Sequence, residues 1–133
     1  MRRLCYLFIL ALAFSACKKD KDTSTFQGSY EGTFRTIVNQ KMVMSEAKVL
    51  FSDDQFYSMK GRGSGKFSLQ GNSIVRFEDK NFWTADFDWG LILNGDYQYK
   101  TKGDSLILTK VLPALPYANT VYNYYQYRLK RTR

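Results

Sequence analysis

The sequence predicts an all-β domain, eight antiparallel strands in an up-and-down barrel, behind an export signal and a short tether. Three observations carry this. From Phe26 onward apolar residues recur at every second position, and helical spacing is hard to find. Gly- and Asp-containing turns separate the apolar runs at short intervals. A meander of eight strands most often closes on itself, because closure removes the two edges that would otherwise pair with other chains. A two-sheet sandwich is the runner-up for the same strands.

Composition bounds the rest. The chain has 133 residues, enough for one domain, and is 44% hydrophobic and 17% aromatic, which supplies a core and excludes global disorder. It contains no His, which excludes His-based triads, metal clusters and proton shuttles. Its two Cys, Cys5 and Cys17, both precede the strands, so the folded part has no disulfide and no Cys zinc site.

The N-terminus is organised as an export signal. Arg2 and Arg3 are basic, and Leu4 to Phe14 is an unbroken apolar run. That run is shorter than the ~20 residues needed to span a bilayer, but suits the core of a signal peptide. Phe14-Ser15-Ala16-Cys17 follows. The small residues before a Cys resemble the lipobox of bacterial lipoproteins, with Phe14 where Leu is usual. The resemblance implies a diacylglycerol on Cys17, cleavage after residue 16, and a chain held on the membrane by its lipid. Residues 17–25 then form the lipidated Cys and a polar tether, Lys18-Lys19-Asp20-Lys21-Asp22-Thr23-Ser24-Thr25, and residues 26–133 form the barrel. The tether loosely resembles those of Bacteroidetes lipoproteins, and a plain solvated spacer accounts for it equally well.

The strands follow in order. Phe26, Gly28, Tyr30, Gly32 and Phe34 share one face. Lys41 to Ser52 alternates with a change of phase: Met42 and Met44 share one face, then Ala47, Val49 and Phe51, which predicts a β-bulge near Ser45-Glu46. A third strand covers Gln55 to Lys60, and Gly61-Arg62-Gly63-Ser64-Gly65 breaks it as a mobile hairpin loop. Lys66 to Gln70, Ser73 to Asp79, Leu91 to Thr101, Ser105 to Val111 and Val121 to Arg131 are strands four to eight. Polar partners such as Gln27, Glu31, Arg35, Lys66, Ser68 and Gln70 face outward. The apolar face therefore points inward, the reverse of a transmembrane barrel.

Three stretches carry a family resemblance: Gly28-Ser29-Tyr30-Glu31-Gly32, then Leu93-Asn94-Gly95-Asp96-Tyr97-Gln98-Tyr99 with Gly103-Asp104-Ser105-Leu106, and Tyr125-Gln126-Tyr127-Arg128-Leu129. Together they resemble the small lipocalin-like domains of Bacteroidetes lipoproteins, across most of the chain. The resemblance implies a lipocalin-like barrel, with Tyr30 in place of the family's opening Trp and Arg128 or Arg131 in place of the Arg that packs on it. It does not fix a function.

Candidate chemistry is sparse. Lys80 to Gly90 holds both Trp of the chain, and Phe82, Trp83, Phe87 and Trp89 are the candidate ligand contacts, as a rim stacking on an apolar ligand or sugar. The competing and favoured reading is a plug over one barrel end. Asp79, Asp86 and Asp88 are oxygen donors suited to calcium, but lack the ligand number and spacing of an EF-hand, so no metal is expected. Gly61 to Lys66 does not meet the P-loop pattern, and a strand rather than a helix follows it. Of the tyrosines in the last strand, Tyr125 and Tyr127 are expected inward and Tyr122 and Tyr124 outward. Basic residues are spread over many strands without a dense stripe, which argues against nucleic acid. The expectation is an outer-membrane-anchored, non-catalytic protein without cofactor, binding a small apolar or amphipathic ligand or an envelope protein. The alternative is a structural or accessory subunit with no ligand of its own. Its interior should be filled largely by aromatic rings.

Overall fold

In the computed structural model, which describes residues 26–59, 62–86, 89–113 and 123–133, the alternating segments form one closed antiparallel barrel. Its strands are β1 (Gly28–Val38), β2 (Lys41–Ser52), β3 (Gln55–Ser58), β4 (Ser64–Gln70), β5 (Ile74–Asp79), β6 (Gly95–Lys102), β7 (Ser105–Lys110) and β8 (Tyr124–Arg131). Each strand pairs with its neighbours in the chain, and β8 returns to pair with β1, from Tyr30 opposite Arg131 to Ile37 opposite Tyr124. The signal peptide (1–16), Cys17 with its tether (17–25), Lys60, Gly61, Phe87, Asp88 and Tyr122 lie outside the described residues.

The rings expected inward are inward. Phe26, Tyr30, Phe34, Phe51, Phe56, Phe67, Phe77, Tyr97 and Tyr127 are buried, and Tyr99 and Tyr125 pack against them half-buried. Contacts between them cross the barrel as well as following its wall. Phe51 on β2 meets Phe67 on β4 at 5.3 Å and Phe77 on β5 at 6.3 Å between ring centroids. Rings at such spacings fill the middle of an eight-stranded barrel, whose interior is just wide enough for side chains.

Two glycines explain how a sheet of short strands turns tightly enough to close. A Cβ on Gly32 would stand 2.0 Å from the backbone oxygen of Arg128, and one on Gly65 would stand 2.0 Å from that of Glu78. Gly32 lies where β1 meets β8, and Gly65 where β4 meets β5. With eight strands in chain order these seams are on opposite sides of the barrel. Glycine at both lets the backbones approach and the sheet fold over.

The ends differ by construction. An up-and-down meander places the connections after β2, β4 and β6 at one end and those after β1, β3, β5 and β7 at the other. At the first, the turn end, the connections are tight and Phe26 closes the core, 5.7 Å from Phe51, 5.9 Å from Phe67 and 5.0 Å from Tyr99. Gln27 fixes this entry by exchanging two hydrogen bonds with the backbone of Asp53, at 3.0 and 3.1 Å. The chain leaves at the same end. Of the two arginines that the resemblance offers as partners for Tyr30, Arg131 makes the contact, donating to the Tyr30 hydroxyl at 2.7 and 3.0 Å. Arg128 instead donates to Gln126.

Three sequence expectations need correction. No bulge interrupts β1 and β2, whose register is unbroken from Gly28 opposite Phe51 to Val38 opposite Lys41. A two-residue turn with left-handed Asn39 and Gln40, at φ 50° and 63°, sets that register. The change of phase in the sequence arises because Met42 and Met44 lie on the outer face and are exposed, where β2 overruns the much shorter β3. Second, β6 begins at Gly95, not Leu91. Trp89–Leu91 is a single turn of 3-10 helix, and Asn94 donates back to Ile92, so the chain turns before it can pair. Third, the described part of the Gly61–Gly65 loop is pinned. Ser58 N–H donates to Gly63 and Leu93 N–H donates to Arg62, both at 2.8 Å. Gly63 is buried at φ +111°, a conformation open to glycine and strained for other residues.

Candidate functional site: the loop end of the barrel

The four connections at the other end, the loop end, carry most of the exposed large apolar side chains. Met42, Val43 and Met44 follow the turn after β1, Met59 follows β3, Phe82 follows β5, and Val111 and Leu112 follow β7. Leu50 and Tyr57 are exposed as well, but stand opposite each other on the outer wall. Apolar side chains exposed at or beside every connection of one end form an apolar rim.

Beneath the rim lies a polar layer. Arg62 comes in from the connection between β3 and β4, and its guanidinium stands over the Phe34 ring, 5.0 Å from the centroid. One guanidinium nitrogen, Nη2, donates to Ser45 Oγ at 2.5 Å. The other, Nη1, is buried and has no hydrogen-bond partner, as are Ser58 Oγ and the Tyr127 hydroxyl. The Tyr127 ring lies tilted against Phe34 at 4.4 Å between centroids, and its hydroxyl stands within side-chain reach of the Arg62 guanidinium. Tyr97, 6.3 Å from the Tyr127 ring, donates weakly to the Ile92 carbonyl at 3.5 Å. Ile92 and Leu93, both buried, cover this layer from the side of the β5–β6 connection.

Burial pushes the Tyr97 phenol well above the ordinary tyrosine value of 10, and does the same for Tyr127, with the Arg62 cation pulling Tyr127 part of the way back. The sign for stability follows. Both groups stay neutral in the fold, while in the unfolded chain they ionise near pH 10, so their contribution is full below that pH and is lost as the pH rises beyond it. The denaturation midpoint in urea should hold steady from about pH 7 to 9 and fall above about pH 10. Tyr97→Phe should flatten the fall, and a midpoint constant to about pH 11.5 would contradict the assignment.

The sequence-predicted contacts are only partly gathered here. Phe82 is fully exposed and covers nothing. Trp83 is half-buried and its indole N–H donates to Asp79, which ties it to the end of β5. Asp79 also accepts from Ser64 N–H at 2.9 Å and Asn81 at 2.8 Å, so its carboxylate organises the start of this connection. Phe87 lies outside the described residues, as does the side chain of Trp89. Asp86 is exposed and Thr84 holds its carboxyl below the usual carboxylate range. Among the described residues no three Cys, Asp or Glu stand together as metal ligands.

Sequence reasoning missed Arg62. It sits between glycines in a segment that reads as a turn, and a turn arginine is ordinarily solvated. The only signal was the density of glycine around it, which here permits a close approach of backbones rather than mobility. Comparison of the chain with protein-family models, with curated proteins and with solved structures finds no match.

Proposed function

We propose that the protein is a lipid-anchored lipoprotein of the bacterial outer membrane whose lipocalin-like barrel is a non-catalytic binding module, taking an apolar or amphipathic ligand, or an envelope protein, at its loop end. The apolar rim is the observation that carries this reading. The place of attachment supports it. Cys17 lies nine residues before Phe26, and Phe26 closes the turn end, so an anchor at Cys17 is joined to the end of the barrel opposite the rim. The ring-filled centre favours binding at the end over carriage of a large ligand inside.

Two measurements test the two halves of the proposal. Expressed in a bacterial host, Cys17→Ala should accumulate as an uncleaved precursor without lipid, whereas release of a normal mature protein from it refutes the anchor. For the rim, 1-hexanol serves as an apolar probe read by tryptophan fluorescence. The double variant Met44→Ser, Phe82→Ser should need about fivefold more hexanol for the same change, the equivalent of roughly 1 kcal/mol of apolar contact. An unchanged titration refutes the rim.

A further inference from the structure

We infer that the outer face of β6, β7 and β8, toward the turn end, docks on a bilayer surface that carries anionic headgroups, through Lys100, Lys102, Arg128 and Lys130. This deepens the reading above, in which Cys17 carries the lipid, and rests on that part of it.

Closure gathers cations that the sequence scatters. Leu106, Leu108, Tyr127 and Leu129 are buried, so alternation turns Arg128 and Lys130 outward on β8, and the inward Tyr97 and Tyr99 do the same for Lys100 and Lys102 on β6. All four cations are exposed. The register sets them in two rows across β7. Lys100, Ile107 and Arg128 stand opposite one another, and then Lys102, Ser105 and Lys130. With strands about 4.8 Å apart and residues about 3.4 Å apart along them, their backbone positions span roughly 10 by 7 Å. Between them Ser105 is short and Ile107 half-buried, so the cations form the outermost layer of this wall.

The charges are unmatched. Among the described residues no carboxylate forms an ion pair with any of the four. The neighbouring carboxylates are Asp104, in the turn between β6 and β7, and Glu31, which stands opposite Lys130 but is paired with Lys48. Arg128 donates to the neutral Gln126. Elsewhere on the barrel wall opposite charges meet, Arg76 with Asp96 and Lys66 with Asp54. Like charges within about one screening length, ~8 Å at physiological salt, repel one another. That repulsion destabilises the barrel until an anionic surface lies against it.

Position selects the partner. Phe26 rests on Tyr99, 5.0 Å between ring centroids, and Tyr99 is the chain neighbour of Lys100. The chain that joins Cys17 to the barrel therefore enters against β6, and its nine residues reach at most about 30 Å. A lipid on Cys17 keeps the patch close to a bilayer at all times. A lysine or arginine near an anionic leaflet favours the surface by about fivefold, and several on one wall act together. Spread over two rows, these cations reach several headgroups at once rather than converging on one compact anion.

The test uses the mature lipidated chain on vesicles of phosphatidylcholine alone, and on vesicles in which phosphatidylglycerol makes up a third of the lipid. Co-sedimentation with both checks the anchor. An uncharged acylating ester, followed by mass spectrometry, then reads each lysine's accessibility. Lys100, Lys102 and Lys130 should react roughly threefold or more slowly on the anionic vesicles than on the neutral ones, and half-molar sodium chloride should remove the difference. Lys66, opposite Gln55 on the far wall, and Lys41, after the β1 turn at the loop end, should react alike on both. Lys100→Gln together with Lys130→Gln should remove at least half of the protection of Lys102. Sedimentation with neither vesicle overturns the anchor, and the docking face with it. Sedimentation with both but equal lysine reactivity, or protection that survives half-molar salt, overturns the docking face and leaves the anchor standing. Protection of Lys41 or Lys66 as large as that of Lys100 overturns the choice of this wall. Unchanged protection of Lys102 in the double variant overturns the part given to these cations.

Discussion

Phe51→Ala should remove about 4 kcal/mol of folding stability, a large part of the 5–15 kcal/mol that holds a typical domain together. Phe51 is buried at the point where the barrel's walls are joined through its centre. Its ring meets Phe26 at 5.7 Å, Tyr30 at 5.5 Å, Phe67 at 5.3 Å and Phe77 at 6.3 Å. Those partners belong to the N-terminal cap, β1, β4 and β5. Deleting the ring loses its transfer free energy and leaves a hole lined by rigid aromatic faces, which relax poorly into it. Urea denaturation followed by circular dichroism gives the number. The neighbouring Leu50 faces out, opposite Tyr57, so Leu50→Ala should fall within about 0.5 kcal/mol of the parent. If Phe51→Ala also stays within about 1 kcal/mol, the ring does not bridge the barrel.

That contrast between adjacent residues is the part of the fold that the sequence displays most directly. Successive side chains of a strand point to opposite faces, so a buried face and a wet face write themselves into alternate letters. Every large ring expected inward from this rule packs in the core or against it, from Phe26 to Tyr127. The rule fails where a strand outruns its neighbour. β2 has 12 residues and β3 only 4, so the early part of β2 is no longer judged by a core, and Met42 and Met44 appear on the outer face without breaking the register. Periodicity cannot separate that case from a bulge, because both shift the apolar phase by one residue.

The candidate site was less legible than the fold, for a related reason. Trp83 and Phe82 drew attention as aromatics in a connection, yet Trp83 is tied to Asp79 and Phe82 is wholly exposed. The residues that form the polar layer are scattered: Ser45 on β2, Arg62 after β3 and Tyr127 on β8. No spacing joins them. They meet because closure brings β8 round to β1, where Tyr127 pairs with Phe34, and because the loop after β3 folds Arg62 over that same ring. Both are tertiary events, invisible to local pattern, and both depend on the barrel closing.

Closure itself should be sensitive to one added methyl group. Gly32→Ala puts a carbon 2.0 Å from the Arg128 oxygen, 2.9 Å from its carbonyl carbon and 3.0 Å from the Leu129 Cα. All three are backbone atoms of β8, so no side chain can swing aside to make room. On its other side Gly32 faces Ala47, a small residue again. Relief therefore requires β1 and β8 to move apart, at the seam that also holds Tyr30 to Arg131 and Phe34 to Tyr127. Ordinary overpacking costs about 1–3 kcal/mol, and a clash that only strand separation relieves should exceed it, at more than about 3 kcal/mol. Hydrogen exchange should locate the damage, with amides of β1 and β8 losing protection before those of β4 and β5. Gly71→Ala is the matching control: its φ of +70° disfavours a side chain, but no atom lies within 4 Å of the new carbon. It should cost only the roughly 1 kcal/mol of a strained turn and leave both seams equally protected. A Gly32→Ala chain as stable as the Gly71→Ala chain would mean that the seam has slack, and that the barrel does not depend on a glycine corner to close.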